Sequence, residues 1–189
     1  MRKSKILAAA LCLSFLATAC KPMGKVKSPE DYLPFVVMGL EAASTAAVFG
    51  QAEAKKQGAF GACVTTGVLG TAFSTASDAM IGYASDAPEI PAVEVDVSAC
   101  LEFAPDPATG KEVSEEVRVL VDSWAGSVLK TTGFYLEKIK DTDCKGYQGG
   151  MAAVAYVEGV LDPIVDEIDN PDGKLSLPAV PINLAACEG

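Results

Sequence analysis

The chain has no histidine in its 189 residues. That removes Ser-His-Asp and Cys-His nucleophiles, histidine metal sites and an imidazole general base, and with them most familiar hydrolase mechanisms. Arginine is nearly absent, with only Arg2 and Arg118, and Lys plus Arg (15) are outnumbered by Asp plus Glu (25). Without a basic patch to displace counterions from phosphates, nucleic acid is excluded as a partner. Tryptophan occurs once, at Trp124. Close pairs of cysteines are absent too, since Cys63, Cys100, Cys144 and Cys187 are 37 to 44 residues apart. Structural zinc sites use closely spaced ligands, so no metal and no cofactor are expected.

Present at the start is a basic then apolar leader. Arg2, Lys3 and Lys5 precede the run Ile6 to Leu16, and small residues lead to Cys20. This is a secretory signal, and its apolar core is too short to span a bilayer. The stretch Leu16-Ala17-Thr18-Ala19-Cys20 resembles the lipobox of bacterial lipoproteins, with the leucine one position earlier than in the commonest form. The resemblance covers the leader alone. It implies cleavage after residue 19, diacylglycerol on the Cys20 sulfur and acylation of the new amino terminus. Several buried acyl chains, at about 0.8 kcal/mol per CH2, anchor a protein stably. Lys21, rather than an aspartate, follows the cysteine. By resemblance to enterobacterial sorting, that points to the outer membrane of the cell envelope. Residues 20–30 then read as a lipidated tether, with Lys21, Lys25 and Lys27 near the headgroups.

Removing residues 1–19 takes away three basic residues and no acid, leaving 12 against 25, a formal charge of −13. An exported chain with four cysteines beyond the lipid site reads as carrying two disulfides.

Residues 31–189 are expected to form one helical domain written twice, over about 31–104 and 111–189. Ile90 to Cys100, IPAVEVDVSAC, returns as Leu177 to Cys187, LPAVPINLAAC. The first unit opens with Ser28-Pro29-Glu30-Asp31, a helix start. Leu33, Val36, Val37, Leu40, Ala43, Ala47 and Val48 then form an apolar stripe, with a stop at Gly58. A second helix, about 61–85, is rich in glycine and alanine and carries no charge from 58 to 77, which predicts a buried helix. In the second unit Ser114-Glu115-Glu116 predicts an N-cap, followed by a stripe from Val117 through Val128 and Tyr135 to Ile139. A fourth helix is expected from about Tyr147 to Ile168, bent or divided at Pro163. Aligning Cys63 with Cys144 also aligns the helix stripes, Val36 on Val117 and Leu40 on Val121.

All three pairings of four cysteines survive exchange of the two units. A helix of some twenty residues rises about 33 Å, and a dozen extended residues reach about as far. Each arm is therefore long enough to run back along its own helix, which favours Cys63–Cys100 and Cys144–Cys187. Alternation of Val93, Val95 and Val97 with Glu94 and Asp96 is strand-like. Two arrangements stay open: a ribbon pairing the two copies across the pseudo-dyad, or unpaired arms, which Pro181 favours by removing a donor. The expected fold is mainly α: two helical hairpins in a four-helix bundle, each with a disulfide-clamped extended arm.

No catalytic residue is assigned. Ser127 with Lys130, or Ser176 with Lys174, are chance-level pairs. The acids Asp162, Asp166, Glu167, Asp169 and Asp172 fail the EF-hand pattern, because Ile168 and Ala179 would take acidic loop positions. A helix end followed by an Asn-Pro-Asp-Gly turn accounts for them. The leading expectation is a non-catalytic envelope lipoprotein that binds or scaffolds another envelope protein, with a basic partner suiting the acidic surface. The alternative is a carrier of a small apolar ligand, with Trp124, Phe134 and Tyr135 lining the pocket. An enzyme using Glu94, Asp96 or Glu102 ranks third.

Overall fold

The computed structural model describes residues 32–82, 89–104 and 110–188, and between 110 and 125 only the side chain of residue 119. Cys20, the tether and the Ser28–Asp31 helix start lie outside the described residues, as does the side chain of Trp124.

Five α-helices account for most of the described chain: α1 Leu33–Gln57, α2 Phe60–Gly82, α3 Gly110–Ile139, α4 Cys144–Glu158 and α5 Leu161–Asp169. Helix α1 starts with Pro34 in its first turn and ends where Gly58, at φ 62°, donates its N–H to the Ala54 and Lys55 carbonyls. Lys55 and Lys56 in the last turn sit against the negative end of the helix dipole. The stripe Val36, Leu40, Ala43, Ala47 and Ala54 is buried against α2. Val48, expected on that stripe, is instead 61% exposed.

Helix α2 is the centre of the molecule and touches all four other helices. Cys63, Val64, Val68, Leu69, Ala72, Phe73 and Ala76 have no exposure at all. Surrounded in this way, the helix needs no polar face. Two of its hydroxyls are satisfied within the helix, where Thr65 donates to the Gly61 carbonyl at 2.7 Å and Thr66 to Ala62 at 2.6 Å, whereas the buried Ser77 hydroxyl finds no partner among the described residues. Small residues let α1 come close, and Ser44 of α1 donates to the Gly70 carbonyl at 2.9 Å.

Two expected boundaries differ. Helix α3 begins at Gly110, so Ser114 lies inside it rather than at its cap. The expected fourth helix is two helices, α4 and α5. The division falls at Gly159 and Val160 rather than at Pro163, which occupies the first turn of α5, where a missing N–H costs nothing. Asp143 caps α4 by accepting the Gly146 N–H at 2.9 Å.

The arms form short antiparallel pairs: β1 Glu89–Ile90 with β4 Val180–Pro181, and β2 Val93–Asp96 with β3 Lys174–Leu177. The eleven-residue repeat shifts numbering by 87. Under that shift Ile90 becomes Leu177 and Val93 becomes Val180, so the pair Ile90–Val180 maps onto Leu177–Val93. The pair Glu89–Pro181 maps likewise onto Ser176–Glu94. Pairing of the arms is thus unchanged when they are exchanged. Val95, Val97, Leu175 and Leu177 are buried beneath the sheet, while Glu94 and Asp96 face solvent.

Each arm ends in a short 3-10 helix, Ser98–Phe103 or Leu184–Cys187, that delivers a cysteine. Disulfides join Cys63 to Cys100, with Cα atoms 5.8 Å apart, and Cys144 to Cys187, at 5.6 Å. Both are the pairings favoured by reach.

Candidate functional site

Two surface regions carry side chains with something to do beyond holding the core. The first is the acidic turn after α5. Helix α5 ends at Asp169, and residues Asn170 to Gly173 reverse the chain into β3. Gly173 takes φ 85°, and a Cβ there would come within 2.9 Å of the Ser98 Cα, so no other residue fits. Its carbonyl accepts the Val97 N–H at 2.9 Å, tying the turn to the first arm. Glu167, 4% exposed, closes the turn from inside: its Oε1 accepts the N–H groups of Gly173 at 2.7 Å and Asp172 at 3.2 Å. Burial pushes the Glu167 carboxyl above its ordinary value and the Asp172 charge pushes the same way, while the two N–H groups oppose them.

Outside this turn lies an open, polar cleft of about 570 Å³, lined in part by Asp166, Glu167, Asn170, Asp172 and Lys174. Its chemistry is modest. Asp172 accepts the Lys174 N–H at 2.8 Å and Glu167 is engaged by the backbone. Among the described residues no group of three or more His, Cys, Asp or Glu side chains is placed to hold a metal ion. The Asn-Pro-Asp-Gly turn is what the acids serve. Asp96 does similar work across the sheet. Bonds from the Ser98 hydroxyl and N–H, the latter at 2.9 Å, together with nearby Lys174, hold its carboxyl below the usual range.

The second region is apolar and exposed. Opposite the buried stripe of α1 lie Met38, Ala42, Thr45, Phe49 and Ala52, three or four residues apart and all exposed. Met38 is 60% and Phe49 64% exposed, with Val48 beside them. At the start of α1 this face meets a ring cluster. Tyr135 lies 5.8 Å from Tyr32 and 6.3 Å from Phe35, between ring centroids, and packs edge-on to Phe134 at 5.6 Å. Phe134 is 59% exposed, with the Lys138 ammonium 5.1 Å above its ring. Of the expected ligand-lining residues, Phe134 and Tyr135 are therefore together, at the surface.

A scan against family models and searches of curated proteins and of solved structures find no match. What the chain does must be read from its own residues.

Of the expected serine-lysine pairs, Ser127 with Lys130 is exposed on α3, and Ser176 with Lys174 lies on the outer face of β3. Sequence reading missed two things. It grouped Glu167 with the other acids of a helix end and turn without giving it a role, although a glutamate two residues before a helix end, followed by Gly six residues on, is positioned to receive turn N–H groups. It also followed one apolar stripe of α1 and passed over the second, spaced 35, 38, 42, 45, 49, 52.

Proposed function

We propose that this chain is a lipid-anchored protein of the bacterial cell envelope, held by acylated Cys20, probing no chemistry of its own and acting as a binding or scaffolding module for another envelope component. The observation that carries the reading is the pair of disulfides, Cys63–Cys100 and Cys144–Cys187. Such bonds form and persist outside the reducing cytoplasm, which agrees with an exported chain whose leader resembles a lipobox. Exchange symmetry of the arm pairing and of the two bridges supports a duplicated architecture, in which two helical hairpins pack as a bundle with α4 and α5 as one divided arm of it. Such a duplication presents two related surfaces. With the mature chain at −13, a basic partner is favoured electrostatically, and association weakens as salt screens the attraction.

The position of the aromatic cluster favours docking over carriage of a ligand. Its Phe134 is 59% exposed, whereas the region around α2 is closed by fully buried Leu69, Phe73 and Leu136. The test is crosslinking in intact cells followed by detergent extraction. A discrete crosslinked protein partner, whose yield falls when the crosslinker is added at raised salt, supports the reading. A chain that crosslinks to nothing, or that releases a stoichiometric apolar small molecule in native mass spectrometry, sinks it in favour of the carrier.

A further inference from the structure

We propose that the outer face of α1 is a lipid-docking surface, on which the folded domain lies against the bilayer instead of swinging free on its tether. The proposal rests on the anchoring reading above and adds the residues that meet the membrane. Helix α1 is long and apolar enough to cross a bilayer, with a mean hydropathy of 1.5 over its best window. It does not stand free to do so, because Val36, Leu40, Ala43 and Ala47 are buried against α2. What remains for lipid is one side. There Met38, Ala42, Thr45, Phe49 and Ala52 are exposed, with the acids of the helix, Glu41 and Glu53, at the edges of the strip and Glu53 paired with Lys56 at 3.7 Å. An uncharged helical strip in a chain of charge −13 is unusual. Three of the seven large hydrophobic side chains exposed among the described residues, Met38, Val48 and Phe49, lie on this helix, and a fourth, Phe134, lies beside its first turns.

Lipid, rather than a second copy, is the occupant favoured by the chain outside the described residues and by charge. Leu33 is 13 residues from Cys20 in the sequence, so even a fully extended chain between them keeps the helix start within about 45 Å of the anchor. Lysines flank this helix start in the sequence and in the fold: Lys21, Lys25 and Lys27 precede it in the chain, while Lys130 and Lys138 lie on α3, Lys140 follows it and Lys145 opens α4, and Tyr135 of α3 meets Tyr32 at the start of α1. These are seven of the 12 basic residues beyond position 19. Between 130 and 145 they outnumber the acids Glu137, Asp141 and Asp143. Basic residues beside an apolar face suit anionic headgroups, with rings such as Phe134 and Tyr32 at headgroup level. A second copy would instead bring −13 against −13.

The test uses the full mature chain with Cys20→Ser, which carries no acyl group, and vesicles of phosphatidylglycerol and phosphatidylethanolamine in a 3:7 ratio. Co-sedimentation is expected, weaker on phosphatidylcholine. Phe49→Glu and Met38→Glu should each lower the partition coefficient at least tenfold, and Lys138→Glu with Lys140→Glu should remove the preference for anionic lipid. Circular dichroism identifies any variant that does not fold, and the two single substitutions fail independently. Absence of vesicle binding, or binding indifferent to both substitutions, overturns the proposal. So does a dimer in lipid-free solution that Phe49→Glu dissociates while vesicles are ignored, which would assign the face to a second copy. Failure of the anchoring reading looks different: native protein with an unmodified Cys20, whose vesicle binding still depends on Phe49, loses the anchor and keeps the docking face.

Discussion

The two disulfides are alike in loop length and unlike in burial, so they should behave differently under reduction. Cys63 and Cys100 are wholly buried, whereas Cys144 and Cys187 are half-exposed. Thiol–disulfide exchange needs in-line access of a thiolate to sulfur. A thiol reductant in native buffer should therefore open Cys144–Cys187 first and reach Cys63–Cys100 only through unfolding. Loop lengths set the thermodynamic stakes. Sequence separations of 37 and 43 residues give, in the chain-entropy model, about 4 kcal/mol for each bridge. For a domain of this size each kcal/mol moves Tm by about 2–4 °C, so Cys144→Ala with Cys187→Ala should lower Tm by about 8–16 °C. Cys63→Ala with Cys100→Ala should cost more, because it also leaves a void between α2 and the first arm. The assay is timed alkylation of freed thiols with peptide mass spectrometry, alongside thermal unfolding of the two double variants. Simultaneous opening of both bridges, or a Cys63–Cys100 variant within about 3 °C of the parent, would refute the reasoning.

Four further outcomes follow from named contacts. Because the Glu167 pKa is raised on folding, its contribution is fully present below the unfolded value near 4.5 and is lost as pH rises through the folded value. Glu167→Gln, which keeps an acceptor and never ionises, should gain stability relative to the parent between pH 4 and pH 8 in urea titrations, and a pH-independent difference would contradict this. Glu167→Ala strands two turn N–H groups and should cost about 2–4 kcal/mol near pH 4, with the cost shrinking as pH rises, in the same titrations. Gly173→Ala meets both a left-handed φ and the Ser98 backbone and should destabilise by at least about 2 kcal/mol, where an unchanged midpoint would show the turn to be compliant. Phe73→Ala empties the fully buried centre of α2 and should cost about 3–5 kcal/mol in calorimetry.

Much of the fold was legible because it obeys simple geometry. The arms are as long as the helices they follow, and that alone brought Cys100 to Cys63 and Cys187 to Cys144. The alternating valines of β2 showed which side faces the core. Pro181 was a fair reason to doubt a ribbon, yet it sits at the end of a two-residue pairing, opposite Glu89, where a missing donor matters least. Other features depend on neighbours the sequence does not show. Pro163 looked like the interruption, but a proline in a first turn is harmless, and the break fell at Gly159, next to fully packed Val160. The burial of Glu167 was unreadable because the position of β3 sets it, although its spacing to Gly173 hinted at the turn bonds it accepts. The second stripe of α1 was visible in spacing and overlooked because one apolar stripe already explained the helix.

The proposed role and the docking face both presume membrane attachment, and the mass of the mature amino terminus tests that presumption most directly. Protein from the membrane fraction, digested with disulfides intact, should yield an N-terminal peptide that begins at Cys20 and carries a thioether-linked diacylglycerol and an amide-linked acyl chain. A mature chain that starts elsewhere, or at an unmodified Cys20, would contradict the account.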